Sequence, residues 1–131
     1  MVILGIDYGL KNIGLAIATS PLAEPLANLR VSSGMNKKLL KICLNLQVEK
    51  IVIGMSEGKI AREIQRFATQ LGKELNIPIV FQDETLSTRL ATQKLAESQT
   101  KKKKRHGPKH SFSASLILQE YLDNLKDGSV I

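Results

Sequence analysis

Val2-Ile3-Leu4-Gly5-Ile6-Asp7-Tyr8-Gly9-Leu10-Lys11-Asn12-Ile13-Gly14-Leu15-Ala16-Ile17-Ala18 opens the chain: an apolar run, one acid, a glycine-flanked turn and a second apolar run. Val2 to Ile6 shows no polar alternation and is bounded by turn residues, which predicts a strand buried on both faces. Gly9, Asn12 and Gly14 surround the reversal, as a hairpin with a loop longer than two residues requires. Asp7 breaks the apolar pattern at the strand's end. A carboxylate there is costly to desolvate unless a cation or donors meet it. Two readings follow: Asp7 satisfies turn amides, or it holds a metal ion or touches a phosphate.

Downstream, Leu26 to Val31 forms a weaker, edge-like third strand between Pro25 and the break at Ser32-Ser33-Gly34. The period then changes. Leu39, Ile42, Cys43 and Leu46 share one helical face, with Lys37, Lys38 and Lys41 mostly on the other. Lys50 to Gly54 is a short buried strand. Ile60, Ile64, Phe67, Leu71 and Leu75 then define a second helix, with Ser56 as its expected N-cap and Asn76 as its end. Ile77 to Phe81 is a further strand, and a short helix capped by Ser87 runs through Leu90, Ala91 and Leu95. Residues from about 97 to 109 are polar, basic and aperiodic and read as a mobile loop. The last helix starts at about His110 or Ser111 and reaches Leu125, with Ala114, Ile117, Leu118, Tyr121, Leu122 and Leu125 inward.

Three hairpin-linked strands followed by helix-linked strands predict an α/β fold: a five-stranded mixed sheet, three strands antiparallel and then two parallel, with helices on both faces. In such sheets ligands collect beyond the carboxyl ends of the strands, where Asp7 and Glu84 both fall. Two carboxylates brought together raise one another's pKa unless a cation intervenes, and oxygen ligands suit Mg²⁺ or Mn²⁺. Helical steps back from Tyr121 through Ile117 and Ala114 reach His110, a candidate third ligand; the alternative is a solvated histidine closing a basic loop. Glu57 reads chiefly as a first-turn helix acid. Asp83 and Glu84, as neighbours on a strand, point to opposite faces, and the spacing leaves open which of them faces Asp7.

The 131 residues make one domain (1–131) with an ordinary hydrophobic content of 43%. Aromatic residues are only 4% with no Trp, which weighs against a base-stacking platform of the single-strand-binding type. Five of the seven net positive charges sit in Lys101-Lys102-Lys103-Lys104-Arg105. That run is either a solvated segment or a clamp on nucleic-acid phosphates, to which Lys11 adds one contact. The single Cys43 excludes an internal disulfide and fits a buried small hydrophobe. No signal peptide or membrane-length apolar run is present in the sequence, so the expected location is cytoplasmic, with no membrane partner.

The segments LGIDYGLKNIGLAIA (4–18), IVIG (51–54), DETLSTRLA (83–91) and SASLILQEYLDN (113–124), in this order over nearly the whole chain, resemble the YqgF (RuvX) family of the ribonuclease H-like superfamily. The resemblance implies a ribonuclease H-like fold and divalent-metal phosphodiester hydrolysis in 5′-end maturation of pre-16S rRNA. It places the family's catalytic acids at Asp7, Glu84 and the position of His110. This chain departs from the pattern there, with histidine where the family carries aspartate, and it shortens the loop after Gly54. Loss of one carboxylate favours Mn²⁺ over Mg²⁺. Competing readings are a Holliday junction resolvase-like DNA endonuclease, a catalytically weakened RNA-binding module and an actin-like ATP-binding half. The last would need a second domain. The expected partner is nucleic acid, pre-16S rRNA before branched DNA, and the expected state is a monomer or weak homodimer.

Overall fold

The computed structural model describes residues 1–83 and 109–126. The expectations for Glu84, the helix from Ser87 and the basic segment Lys101–Arg105 lie outside those residues. The elements, in order, are β1 (Ile3–Tyr8), β2 (Asn12–Ala18), β3 (Glu24–Arg30), α1 (Met35–Leu46), β4 (Lys50–Met55), α2 (Lys59–Leu75), β5 (Ile79–Asp83) and α3 (Lys109–Lys126). They build a five-stranded sheet of order β3-β2-β1-β4-β5. β1 is antiparallel to β2 (Ile3 opposite Ala18, Tyr8 opposite Ile13) and β2 is antiparallel to β3. β4 is parallel to β1, and β5 to β4. This is the mixed sheet that the sequence predicts.

The two faces of the sheet are both apolar but differ in side-chain size. Leu4, Ile6, Ile13, Leu15, Ile51 and Ile53 pack against Leu39 and Cys43 of α1 and Ile64, Phe67 and Leu71 of α2. On the other face, Ile3, Ala16, Ala18 and Val52 meet Ala114, Ile117, Leu118, Tyr121 and Leu122 of α3. Small residues on that second face let α3 approach the sheet's main chain. A Cβ on Gly5 would stand 2.8 Å from the Leu118 Cβ, and one on Gly14 would overlap the main chain of His110 and Ser111. Helix and sheet are therefore in backbone contact at these two glycines.

Polar bonds pin α3 at each end. The Ser111 amide, which needs a partner outside the helix in its first turn, donates to Asn28 Oδ1 on β3 at 3.0 Å. Toward the other end, Gln119 Oε1 accepts from the Ala23 amide at 2.9 Å and its Nε2 donates to the Pro21 carbonyl at 3.0 Å. Lys50 Nζ donates to the Tyr121 hydroxyl at 3.0 Å.

Several local expectations are corrected. α2 starts at Lys59 with Gly58 at the cap position (φ 86°) and no side-chain cap bond, so Ser56 is not its N-cap. The positive φ supplies the sharp exit from β4, which glycine adopts without steric cost. Glu57 precedes the helix, whose first turn contains no acid. α3 takes in Lys109, so the expected loop ends earlier. Leu46 and Leu125 are exposed rather than inward. In place of Leu46, Val48 closes the core after Gln47 turns the chain through the left-handed region (φ 56°). β5 borders the sheet among the described residues, and its Phe81 is exposed. β3 is the expected edge strand, starts at Glu24 and carries Pro25, which an edge tolerates. Among the described residues, no helix is long and apolar enough to cross a membrane.

Cys43 is buried, and burial pushes its thiol up to about 11. Near pH 8 only about one thiol in a thousand is then thiolate, so an aromatic disulfide reagent should react within minutes in denaturant and hardly at all with the native protein. Rapid native labelling would show that the α1 face opens. Denaturant unfolding tests the backbone contact. Gly14→Ala should cost about 3 kcal/mol or more and Gly5→Ala about 1–3 kcal/mol, because α3 must shift. Gly72→Ala, whose Cβ meets only Ile79 Cδ1 at 3.6 Å, should instead stabilise by about 0.5–1 kcal/mol.

Candidate functional site

The side-chain period of two along β1 puts Leu4, Ile6 and Tyr8 on the α1–α2 face and Ile3, Gly5 and Asp7 on the α3 face. Asp7 emerges there at the carboxyl end of β1, flanked by β2 and, toward the same edge, by the parallel β4. α3 arrives at this edge with its first turn. His110 Nδ1 lies 3.5 Å from Asp7 Oδ2, with the aspartate side chain 21% exposed and the histidine 42%. The structure thus brings together two of the residues singled out by the sequence.

The turn after β1 makes room for the imidazole. A Cβ on Gly9 would stand 3.2 Å from His110 Cε1. Gly14, across the hairpin, carries the main chain of His110, and Asn28 holds the next amide. Asn28 is a positioning residue that sequence reasoning missed. Its only local signal was a polar residue in an edge strand, which usually faces solvent. Gly9 and Gly14 were read as turn residues, yet both also admit the last helix.

Lys11 is exposed on the turn beside Asp7. Asp83 shares its face with Ile79 and Phe81, toward α2, and so lies on the opposite side of the sheet from Asp7. Glu57 is exposed in the β4–α2 connection. Among the described residues, no group of three His, Cys, Asp or Glu side chains is poised around one point; Asp7 and His110 form a pair. Their separation is too long for a good hydrogen bond. It suits a carboxylate oxygen and an imidazole nitrogen that share one cation with bonds of about 2.1 Å. The donor set, one hard oxygen and one nitrogen, therefore fits a divalent ion such as Mn²⁺ or Mg²⁺.

Comparison with known proteins gives this geometry a context. The family model "RuvX: Holliday junction resolvase" matches residues 1–124. A protein of Syntrophus aciditrophicus is 36% identical over 99% of this chain and 93% of its own length, and one of Protochlamydia amoebophila is 35% identical over 93% of each. Both carry the name "Putative pre-16S rRNA nuclease". Among solved structures, Thermus thermophilus RuvC in complex with a Holliday junction superposes with a TM-score of 0.67 at 17% identity, covering 98% of both chains. The Fowlpox virus resolvase bound to junction DNA gives 0.54 at 18% identity, over 93% of this chain and 99% of its own. These structural likenesses establish a shared ribonuclease H-like fold. With the family match spanning nearly every residue and relatives above 30% identity along the full length, the chain belongs to the RuvX family.

Proposed function

We propose that the chain is a divalent-metal-dependent nuclease that hydrolyses phosphodiester bonds during 5′-end maturation of pre-16S rRNA, in the cytoplasm. The observation that carries this reading is the Asp7–His110 pair, held at the carboxyl edge of β1 by backbone contact between α3 and the sheet. The full-length relatives named as pre-16S rRNA nucleases support the substrate.

In this reading Asp7 and His110 would hold the ion, and Glu84 is the residue at which the family pattern expects a further carboxylate. The bound ion supplies Lewis-acid stabilisation of charge on the phosphoryl oxygens and lowers the pKa of water. Asp7 is less exposed than His110, so its charge is the better shielded from solvent and the stronger anchor. His110 adds no negative charge, which shifts selectivity away from Mg²⁺ toward Mn²⁺. Lys11 and the basic run Lys101–Arg105 supply charge for substrate phosphates, giving affinity without reading sequence. The resolvase reading shares the site but requires a four-way junction as substrate, and the family's own description keeps it as the second arm of the test.

The deciding experiment presents a pre-16S 5′ fragment and a four-way DNA junction to the protein, each with Mg²⁺ and with Mn²⁺. The expected result is RNA cleavage, faster with Mn²⁺, that falls by about 10²-fold or more in Asp7→Asn. His110→Asp should restore activity with Mg²⁺, and Mn²⁺ titration followed by electron paramagnetic resonance should show about 10-fold weaker binding in His110→Ala. Junction cutting alone would move the protein to the resolvases. RNA binding without cleavage or metal binding would make it a binding module.

A further inference from the structure

The outer face of α2 carries Lys59, Arg62, Arg66 and Lys73, all exposed. At 100° per residue these four fall within about 60° of arc, opposite the buried face of Ile64, Phe67, Ala68 and Leu71. No acid lies inside that arc. Glu63 and Glu74 fall beside it, and the contact of Arg66 Nη1 with Glu63 Oε1 at 3.6 Å is largely solvated and therefore weak.

A stripe of this kind is often only a solvated face, but here it opposes helix stability. Arg62 and Arg66, one turn apart, repel one another. Lys59 and Arg62 occupy the first turn, where the helix dipole disfavours cations, with no acid in that turn and no side-chain cap. That positive end follows the carboxyl end of β4, so it lies at the sheet edge that carries Asp7. Along the stripe, Arg66 and Gln70 belong both to the surface with Arg62 and Lys73 and to a cleft of about 410 Å³ that reaches Tyr8, the residue after Asp7. In that cleft the rings of Tyr8 and Phe67 pack at 5.0 Å.

We propose that the basic face of α2, entered through the Tyr8–Phe67 cleft, is a phosphate track for the unpaired strand that flanks the scissile bond. It rests on the nuclease reading for its substrate. The track passes round the sheet edge from the Asp7 side to the α2 side and follows the helix from Lys59 to Lys73, about 21 Å. The cleft, which Glu63 also lines, opens beside the middle turns of α2, and its size suits an unpaired base rather than a duplex.

The test measures fluorescence anisotropy of a labelled single-stranded RNA oligonucleotide against salt concentration. Loss of three phosphate contacts in Arg62→Ala/Arg66→Ala/Lys73→Ala should lower the slope of log K on log salt by about 2. Affinity should fall about 100-fold at 0.1 M salt and converge with the parent toward 1 M. The charge-matched Lys37→Ala/Lys38→Ala/Lys41→Ala variant on α1 should keep the parent slope, and circular dichroism checks that both triple variants fold. An unchanged slope in the α2 variant, or equal losses in the two variants, would overturn the track. A slope change without any cleavage by the parent protein leaves the track standing and removes the nuclease. Asp7-dependent cleavage with an unmoved slope does the reverse.

Discussion

The main-chain contact between α3 and the sheet at Gly14 and Gly5 is the constraint on which the site depends. A helix normally packs on a sheet through two layers of side chains. Here a glycine on each of the two central opening strands removes one layer, and the first turn of α3 rests on β2 itself. That contact fixes the height of the helix above the sheet. His110, in that turn, is thereby fixed relative to Asp7, one strand over. The pair is held by backbone rather than by rotatable side chains, which is how a site on a short chain obtains precision.

Polar bonds then set the helix's direction. Asn28 holds the start of α3, while Gln119 joins it to the β2–β3 connection through both its oxygen and its nitrogen. Lys50 reaches from the amino end of β4 to the Tyr121 hydroxyl and also lies 5.6 Å from the ring centroid. Contacts at both ends resist rotation as well as lift-off. Ser115, buried under the helix, is satisfied within it: its hydroxyl donates to the Phe112 carbonyl at 2.6 Å.

Much of this was legible in the sequence, and what escaped it has a physical cause. Apolar runs with punctuating glycines gave the strands, and helical spacing from Tyr121 back to His110 pointed the histidine the right way. The opening run was read as unalternating because all its residues are apolar. The size pattern lies chiefly in β2, where Gly14, Ala16 and Ala18 stand against Ile13 and Leu15, and in β1 at the single small residue Gly5 between Leu4 and Ile6. Hydrophobicity is blind to that pattern, while packing distance is not. Asn28 was invisible for another reason. Its partner lies 83 residues away, and no local signal encodes so distant a hydrogen bond. The Ser56 cap failed because a side-chain rule was applied where a positive-φ glycine makes the turn.

The same edge geometry joins the two surfaces of the molecule. Because β1 and β4 run parallel, the carboxyl end of β1 and the amino end of α2 lie at one rim of the sheet. Asp7 and Tyr8 are neighbours in sequence but open to opposite sides of that rim. On one side is an acidic and imidazole pair that suits a cation; on the other is a cationic helix face that suits phosphates. A polyanion bound on the α2 side would meet the positive charge of Lys59, Arg62, Arg66 and Lys73, with Glu63 and Glu74 beside that stripe, and would approach the Asp7 side only by passing the rim. Contact of that kind follows the phosphates and requires no base contact.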